Sequence, residues 1–227
     1  MIKKFLVASC TPWHERYYTL YTSQLPGEWE LVKTPEEFSN YLKSNKPDLI
    51  FFLHWSWILE KEIIQEFECI CFHMTDLPYG RGGSPLQNLI LLGHSKTVVS
   101  SFKMTECIDD GPIYLKSPLS LEGTAEEIYK NATLICWLQI QRIVEEKPQP
   151  KKQTGEIVAF KRRSPHDSVI PERINIEECY NFIRMLDAPT YPKAFLKNGS
   201  LIFQFSEAKL VGDKVNARVV ITRENEN

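Results

Sequence analysis

The sequence predicts an α/β protein with a largely parallel sheet, followed by a small α+β appendage. Three observations carry this. The first two-thirds of the chain alternates short apolar runs with capped amphipathic segments in a β-α-β-α-β-α-β order, which implies a parallel sheet wrapped on both sides. The run Asp48 to Leu53 (DLIFFL) is apolar on both faces, as a central parallel strand requires. The stretch Glu145 to Gly155 (EEKPQPKKQTG) has no apolar residue and reads as a linker, dividing residues 1–150 from a smaller unit, 151–227.

Taken in order, Lys4 to Ala8 is a β-branched and apolar strand, and Glu30 to Val32 a short second one. Thr34-Pro35-Glu36-Glu37 is a capping box that opens a helix with Phe38, Tyr41 and Leu42 on its apolar face. Asp48 to Leu53 follows, then a short helix over Ile58 to Ile64 and a strand over Cys69 to Phe72. That strand leads into a Gly-rich bend, Tyr79 to Gly83, and a helix start in which Ser84 is the N-cap, Pro85 the first helical residue and Gln87 the closing side of a capping box. Thr97 to Met104 and Pro112 to Lys116 form a hairpin around Glu106, Asp109, Asp110 and Gly111. Thr124-Ala125-Glu126-Glu127 opens the longest helix. Beyond the linker, Ile157 to Phe160 is a strand, Asn175 caps a helix bearing Cys179, Phe182, Ile183 and Leu186, and Leu201 to Phe205 and Val215 to Ile221 are strands.

A chain of 227 residues with net charge −2 has no electrostatic footprint for nucleic acid or a membrane surface. No apolar run approaches a membrane span, and the apolar part of MIKKFLVASC is too short for a signal peptide. Six scattered cysteines, mostly in apolar runs, read as reduced core thiols, so a cytoplasmic protein is expected.

The candidate chemistry centres on His73, which ends an apolar strand at the start of a polar loop. It is either an acid/base or a strand-end histidine that caps the loop. Cys69, Cys71 and His73 alternate and therefore share a face, but the spacing does not suit a metal, and no metal is expected. Asp109 and Asp110 precede Gly111, and a carboxylate beside His73 would raise and orient the imidazole, although Asp-Gly is also an ordinary turn. Gly80-x-Gly82-Gly83 lacks the dinucleotide spacing. Arg81 either clamps a phosphate or braces its loop, Trp55 and Trp57 line a flat pocket or belong to the core, and Lys161-Arg162-Arg163 is a solvated face or meets an anion.

The stretch His73-Met74-Thr75-Asp76-Leu77-Pro78-Tyr79-Gly80-Arg81-Gly82-Gly83-Ser84-Pro85 resembles the His-x-Ser-Leu-Leu-Pro-x-x-Arg-Gly-x-x-Pro signature of the folate-dependent formyltransferases. Ile108-Asp109-Asp110-Gly111 resembles their Leu-Asp-Thr-Gly turn. The likeness runs from Pro47 to about Tyr129 and implies a Rossmann-like formyltransferase domain. It implies 10-formyltetrahydrofolate as cosubstrate and an Asn-His-Asp set in which His73 is the acid/base and Asp109 its partner. Folate is then expected beside Trp55, Trp57, Ile58, Leu59, Ile108 and Asp109. On charge and position, Thr75, Tyr79, Arg81, Gly82 and Ser84 hold the acceptor, with Tyr191 and Lys193 assisting. The family Asn falls at Cys71, and a thiol is a weak donor where an oxyanion needs an amide. Losing one such donor typically costs about 10²–10³ in rate. Another donor or a water fills the gap, or the site only binds, or Cys71 carries a transient formyl group.

The segment Phe160 to Pro165 with Thr190-Tyr191-Pro192-Lys193-Ala194-Phe195 resembles the C-terminal extension of sugar N-formyltransferases, Lys193 standing where Gly is common. The longer basic domain and basic insertion of the tRNA enzymes are not seen. The expected acceptor is therefore a nucleotide-linked amino sugar, within that group a UDP-linked 4-amino-4,6-dideoxy acetamido sugar of formylated pseudaminic acid biosynthesis. The alternatives are a folate or sugar-nucleotide binding protein with a degenerate site, a glycinamide-type formyltransferase and a formyl-folate hydrolase. The extension also offers a surface for a homodimer.

Overall fold

The computed structural model describes residues 2–189 and 191–224, so Thr190 of the Tyr191-Pro192 motif lies outside the described residues. The elements run β1 (Lys4–Ala8), α1 (His14–Thr22), β2 (Glu28–Val32), α2 (Pro35–Ser44), β3 (Leu49–Phe52), α3 (Lys61–Glu66), β4 (Cys69–His73), β5 (Tyr79–Gly82), α4 (Pro85–Leu91), β6 (Lys96–Lys103), β7 (Ile113–Ser120), α5 (Ala125–Glu146), β8 (Val158–Phe160), α6 (Ile176–Arg184), β9 (Ala194–Asn198), β10 (Leu201–Val211) and β11 (Lys214–Arg223). They form two compact units. The first holds the chain up to Gly82 with Thr97–Leu119 and Lys130–Ala159; the second holds Gly83–Lys96, Ser120–Tyr129 and the chain from Phe160 onward. Neither is one continuous run, and the boundary crosses α5 after Tyr129.

The first unit is built on a six-stranded sheet in the order β2-β1-β3-β4-β6-β7. β1, β2, β3 and β4 pair in parallel, and β6 runs antiparallel to β4. This is the Rossmann-like, mostly parallel sheet that the alternating pattern predicts. Strand alternation sends side chains to two cores. Leu6, Ala8, Ile50, Phe52 and Cys69 meet Val32, Phe38 and Phe67 on one face. On the other, Phe5 and Phe51 join an aromatic cluster with Trp29, and Trp29 in turn meets Trp137 of α5. The caps work locally: Thr34 Oγ1 accepts from Glu37 N–H at 3.1 Å, while the Glu37 carboxylate takes the Lys33 N–H at 2.6 Å.

Four local readings need correction. The helix expected over Ile58 to Ile64 starts at Lys61, because Ile58 is 93% exposed and belongs to no buried face. The Gly-rich bend contains a short strand, β5, which pairs with β8 in a two-stranded sheet. Ser84 has a left-handed φ of 51° and no capping bond to its helix, and the Gln87 side chain bonds Tyr129 and the Met185 carbonyl instead of closing a box. The linker is not free chain: α5 extends through Glu146, and Lys151 exchanges two backbone hydrogen bonds with Ile113 at 2.7 and 2.8 Å. Helix α1 and strand β9 had no local signal strong enough to be read.

In the second unit β9, β10 and β11 form an antiparallel sheet in the order β11-β10-β9. Helix α6 opens with a complete capping box on Asn175 and Glu178. Its buried Arg184 donates through Nη1 to the carbonyls of Leu121 at 2.6 Å and Gly123 at 2.9 Å. Asp187 gathers the loop that follows, accepting from Lys193 Nζ at 2.6 Å and the Glu207 N–H at 2.7 Å. Among the described residues no helix is long and apolar enough to cross a membrane.

Two stability predictions follow from buried polar groups. His14 is 1% exposed against Trp137, and burial holds its imidazole down to about 3, with the nearby His54 adding to the effect. The unfolded chain binds a proton below about pH 6.5 that the folded chain refuses. Stability from this group is therefore whole above that pH and falls toward pH 3, by up to about 1.4 kcal/mol per pH unit. His14→Phe is expected to flatten the acid limb of a Tm-versus-pH curve between pH 6.5 and 4; an unchanged slope would refute the assignment. Arg184→Met strands the buried Leu121 carbonyl and is expected to cost roughly 1–3 kcal/mol or more in urea unfolding.

Candidate active site

Strand β4 lies between β3 and β6 and carries Cys69, Cys71 and His73 on one face. His73 is buried at the strand's end. Its Nε2 lies 2.8 Å from the Gly80 carbonyl, and because a carbonyl only accepts, Nε2 carries a proton. Thr75 Oγ1 donates to the same carbonyl at 3.3 Å, and Ser100 Oγ donates to the Thr75 carbonyl at 2.7 Å. Thr75 is thus committed to holding the loop. The other imidazole nitrogen, Nδ1, stands 3.6 Å from Asp109 Oδ2.

Asp109 reaches this position from the turn between β6 and β7. Its φ is 51°, a left-handed conformation that a non-glycine residue adopts only when its surroundings impose it. The Gly82 N–H donates to Asp109 Oδ2 at 2.8 Å and so aims the carboxylate. Two residues on, a Cβ at Gly111 would stand 1.6 Å from the Lys103 carbonyl oxygen, so only glycine closes the turn. Arg81 Nη2 pairs with Asp110 Oδ1 at 2.6 Å, so in this state the arginine braces its loop.

Cys71, like Trp55, Leu59 and Met104, packs against the core cluster that contains Cys69. Burial pushes its thiol well above the ordinary range, and the Asp109 charge pushes the same way, so it remains a thiol at neutral pH. Trp55 and Trp57 meet edge to face at 4.7 Å. Trp55 Nε1 is buried without a hydrogen-bond partner, whereas Trp57, Ile58 and Ile108 expose apolar surface. Among the described residues no group of three His, Cys, Asp or Glu side chains is placed to hold a metal ion.

The remaining predicted residues divide between the units. Tyr79, Arg81 and Gly82 belong to the first. Ser84, Tyr191 and Lys193 belong to the second, where Ser84 Oγ and Tyr191 Oη lie 2.8 Å apart and the Arg163 N–H reaches Ser84 Oγ at 3.1 Å. Lys193 is engaged with Asp187. A Cβ at Gly83 would stand 2.4 Å from Arg162 Cβ, so the basic segment runs directly over this glycine.

Two features escaped the sequence reading. At the carboxyl ends of β1 and β3, where successive connections leave the sheet in opposite directions, His54 Nε2 meets Thr133 Oγ1 at 2.8 Å, and Trp13 Nε1 donates to the same hydroxyl at 3.0 Å. Burial lowers His54 to about 4, so it is neutral. No local motif marks this cluster, since its members are distant in the chain. The second is Gln153, which links Arg81 to the Asp109 turn from within the polar linker stretch.

Comparison with known proteins places these features in a family. The formyl transferase family model matches residues 27–133, and a model described as the C-terminal domain of methionyl-tRNA formyltransferase matches residues 165–222. A methionyl-tRNA formyltransferase of Campylobacter lari is 32% identical over 167 residues, covering 72% of this chain and 54% of that protein. The chain thus spans about half the length of this curated relative. A 4-N formyltransferase from Francisella tularensis shares the fold, superposing with TM-score 0.67 at 17% identity and covering 87% of this chain and 93% of that one. A solved structure titled methionyl-tRNA formyltransferase from Clostridium thermocellum superposes with TM-score 0.94 at 39% identity, covering 98% of this chain and all of that one. On full-length identity of this order, and on two family models matched in chain order, the chain belongs to the formyl transferase family.

Proposed function

We propose that this protein is an N-formyltransferase that moves a formyl group from 10-formyltetrahydrofolate to the primary amine of a nucleotide-linked amino sugar. The observation that carries the transfer chemistry is the His73 imidazole, held by Gly80 through Nε2 with Nδ1 facing Asp109. An amine attacking a formyl carbon must shed a proton. With the Nε2 proton committed to a carbonyl, Nδ1 is the nitrogen that takes it. The imidazolium so formed gains a carboxylate neighbour whose direction the Gly82 N–H has already set. Burial and the Asp109 charge hold Cys71 as a neutral thiol, which is not an activated nucleophile, and its weak S–H does not replace an amide donor.

Trp55, Trp57, Ile58, Leu59 and Ile108 would hold the folate beside Asp109. The fit rests on exposed apolar surface and on a buried, unpartnered indole N–H at Trp55, which suit a flat heteroaromatic with polar edges. When bound, this cosubstrate supplies the electrophilic formyl carbon. Residues 1–150 would form the catalytic domain and 151–227 the appendage, in keeping with where the two family models match.

The sugar acceptor is supported by the net charge of −2, which gives the chain no overall attraction for a phosphate backbone. Structural neighbours titled sugar N-formyltransferases share the fold. Arg81 and Gly82 are our assignments for acceptor contacts, and a UDP-linked 4-amino-4,6-dideoxy acetamido sugar is the first candidate. A second reading has a specific observation behind it: the full-length match and the C-terminal family model both carry the name methionyl-tRNA formyltransferase. The same assay decides between them. The reaction and location are those of a cytoplasmic biosynthetic enzyme, working alone or as a homodimer.

Tetrahydrofolate release is to be followed with UDP- and dTDP-linked 4-amino sugars, glycinamide ribonucleotide and methionyl-tRNA in parallel. Amine-dependent release is expected with a sugar nucleotide, and His73→Ala should reduce it about 10²–10⁴-fold. Turnover restricted to methionyl-tRNA would replace the acceptor, release of formate without an amine would indicate a hydrolase, and absence of folate binding would refute the reading. Cys71→Asn is expected to stay within about tenfold of wild type. A gain of about 10²–10³ would instead reveal a native site that lacks its oxyanion donor and binds without turning over.

A further inference from the structure

We propose that Gln153 is the positioning residue of this site: its side-chain amide bolts the Asp109 turn to the Arg81 loop and thereby sets the Asp109 carboxylate relative to His73. The inference rests on the catalytic reading of that pair given above.

A primary amide has two N–H donors and two acceptor lone pairs, and Gln153 uses all four. Nε2 donates to the Asp109 carbonyl and to the Gly111 carbonyl, each at 2.8 Å. Oε1 accepts from Arg81 Nη2 at 2.8 Å and from Arg81 Nε at 3.2 Å. The orientation of the amide is therefore unambiguous, since the carbonyls can only accept and the guanidinium can only donate. The partners lie 42 to 72 residues away along the chain.

This linkage acts where the site is strained. Asp109 sits at φ 51°, a conformation that persists where the surrounding structure holds it in place. Gln153 grips the carbonyl of that residue and the carbonyl two positions later, spanning the turn from outside. On the other side it grips Arg81, whose neighbour Gly82 supplies the N–H that aims the Asp109 carboxylate. One side chain thus fixes both ends of the Asp109–Gly82 contact. Its own backbone is anchored two residues earlier, where Lys151 exchanges hydrogen bonds with Ile113 at the start of β7. Gln153 has no hydrogen bond to His73 and is not itself a catalytic residue.

The test uses the full-length protein carrying Gln153→Met, which keeps side-chain length but has no hydrogen-bonding amide, and Gln153→Glu, which still accepts from Arg81 but cannot donate to the two carbonyls. Steady-state kinetics with the active acceptor and the NMR resonance of the Gly82 amide proton are both read. In either variant kcat is expected to fall about 10²-fold with KM changed by less than about threefold, because the reacting groups are misplaced and not lost. The Gly82 amide proton should move upfield and exchange faster, as its bond to Asp109 loosens. Wild-type kcat with an unshifted Gly82 resonance in Gln153→Met would overturn the proposal, as would wild-type kcat in Gln153→Glu. If Gln153→Met fails to fold, Gln153→Glu decides alone. If the wild-type protein turns over no acceptor, the functional reading fails, and the Gly82 resonance still reports whether Gln153 holds the turn.

Discussion

The Nε2 proton of His73 is given to a backbone carbonyl, and much of the site follows from that commitment. In the proposed reaction it leaves Nδ1 as the nitrogen that takes the proton, and Nδ1 faces the Asp109 carboxylate. For this to hold, the chain must bring Gly80 back against the end of its own strand and carry Asp109 across from a different hairpin. The pairing of β5 with β8 does the first, and the glycine-closed turn after β6 does the second. A buried imidazole with one fixed hydrogen bond is also rigid, which suits a group whose work depends on placement within a fraction of an ångström.

What could be read in the sequence was what is local. Thr34, Thr124 and Asn175 were read as helix starts, and each engages the backbone or carboxylate three residues on, because a cap is a contact between near neighbours. The central strand announced itself through apolar residues on both faces. His73 and Asp109 were legible only together with the motifs around them, since the space between a strand end and a remote turn has no signature of its own. Ser84 shows the limit clearly. Its local sequence is that of an N-cap, yet its hydroxyl meets Tyr191, more than a hundred residues later, and the N–H of Arg163. Gln153 shows it again, in a stretch whose composition argues only for solvent. The helix expected from Ile58 begins at Lys61, and Ile58, apolar as it is, stands 93% exposed.

The position of Cys71 places a constraint on how this site handles negative charge. A thiol buried beside an aspartate stays neutral, so the site has gained no nucleophile in exchange for an amide. In the proposed transfer, stabilisation of charge on the formyl oxygen would have to come from some other donor. In the present geometry Asp109 gathers the Gly82 N–H to itself, and Arg81 is divided between Asp110 and Gln153. The polar groups around His73 and Asp109 are thus occupied with one another.

The docked segment after α5 also has a consequence for how the protein survives handling. Lys151 and Lys152 look like ordinary protease sites, basic residues in a polar stretch that follows two prolines. Lys151, however, is held to Ile113 through both its backbone hydrogen bonds, and a protease needs several residues of extended chain that can leave their partners. Cutting there would cost more than a loop, because the fragment boundary would fall immediately before Gln153 and release the turn that carries Asp109. A fragment trimmed at residue 150 would keep His73 and Asp109 and lose the side chain that ties the Asp109 turn to Arg81.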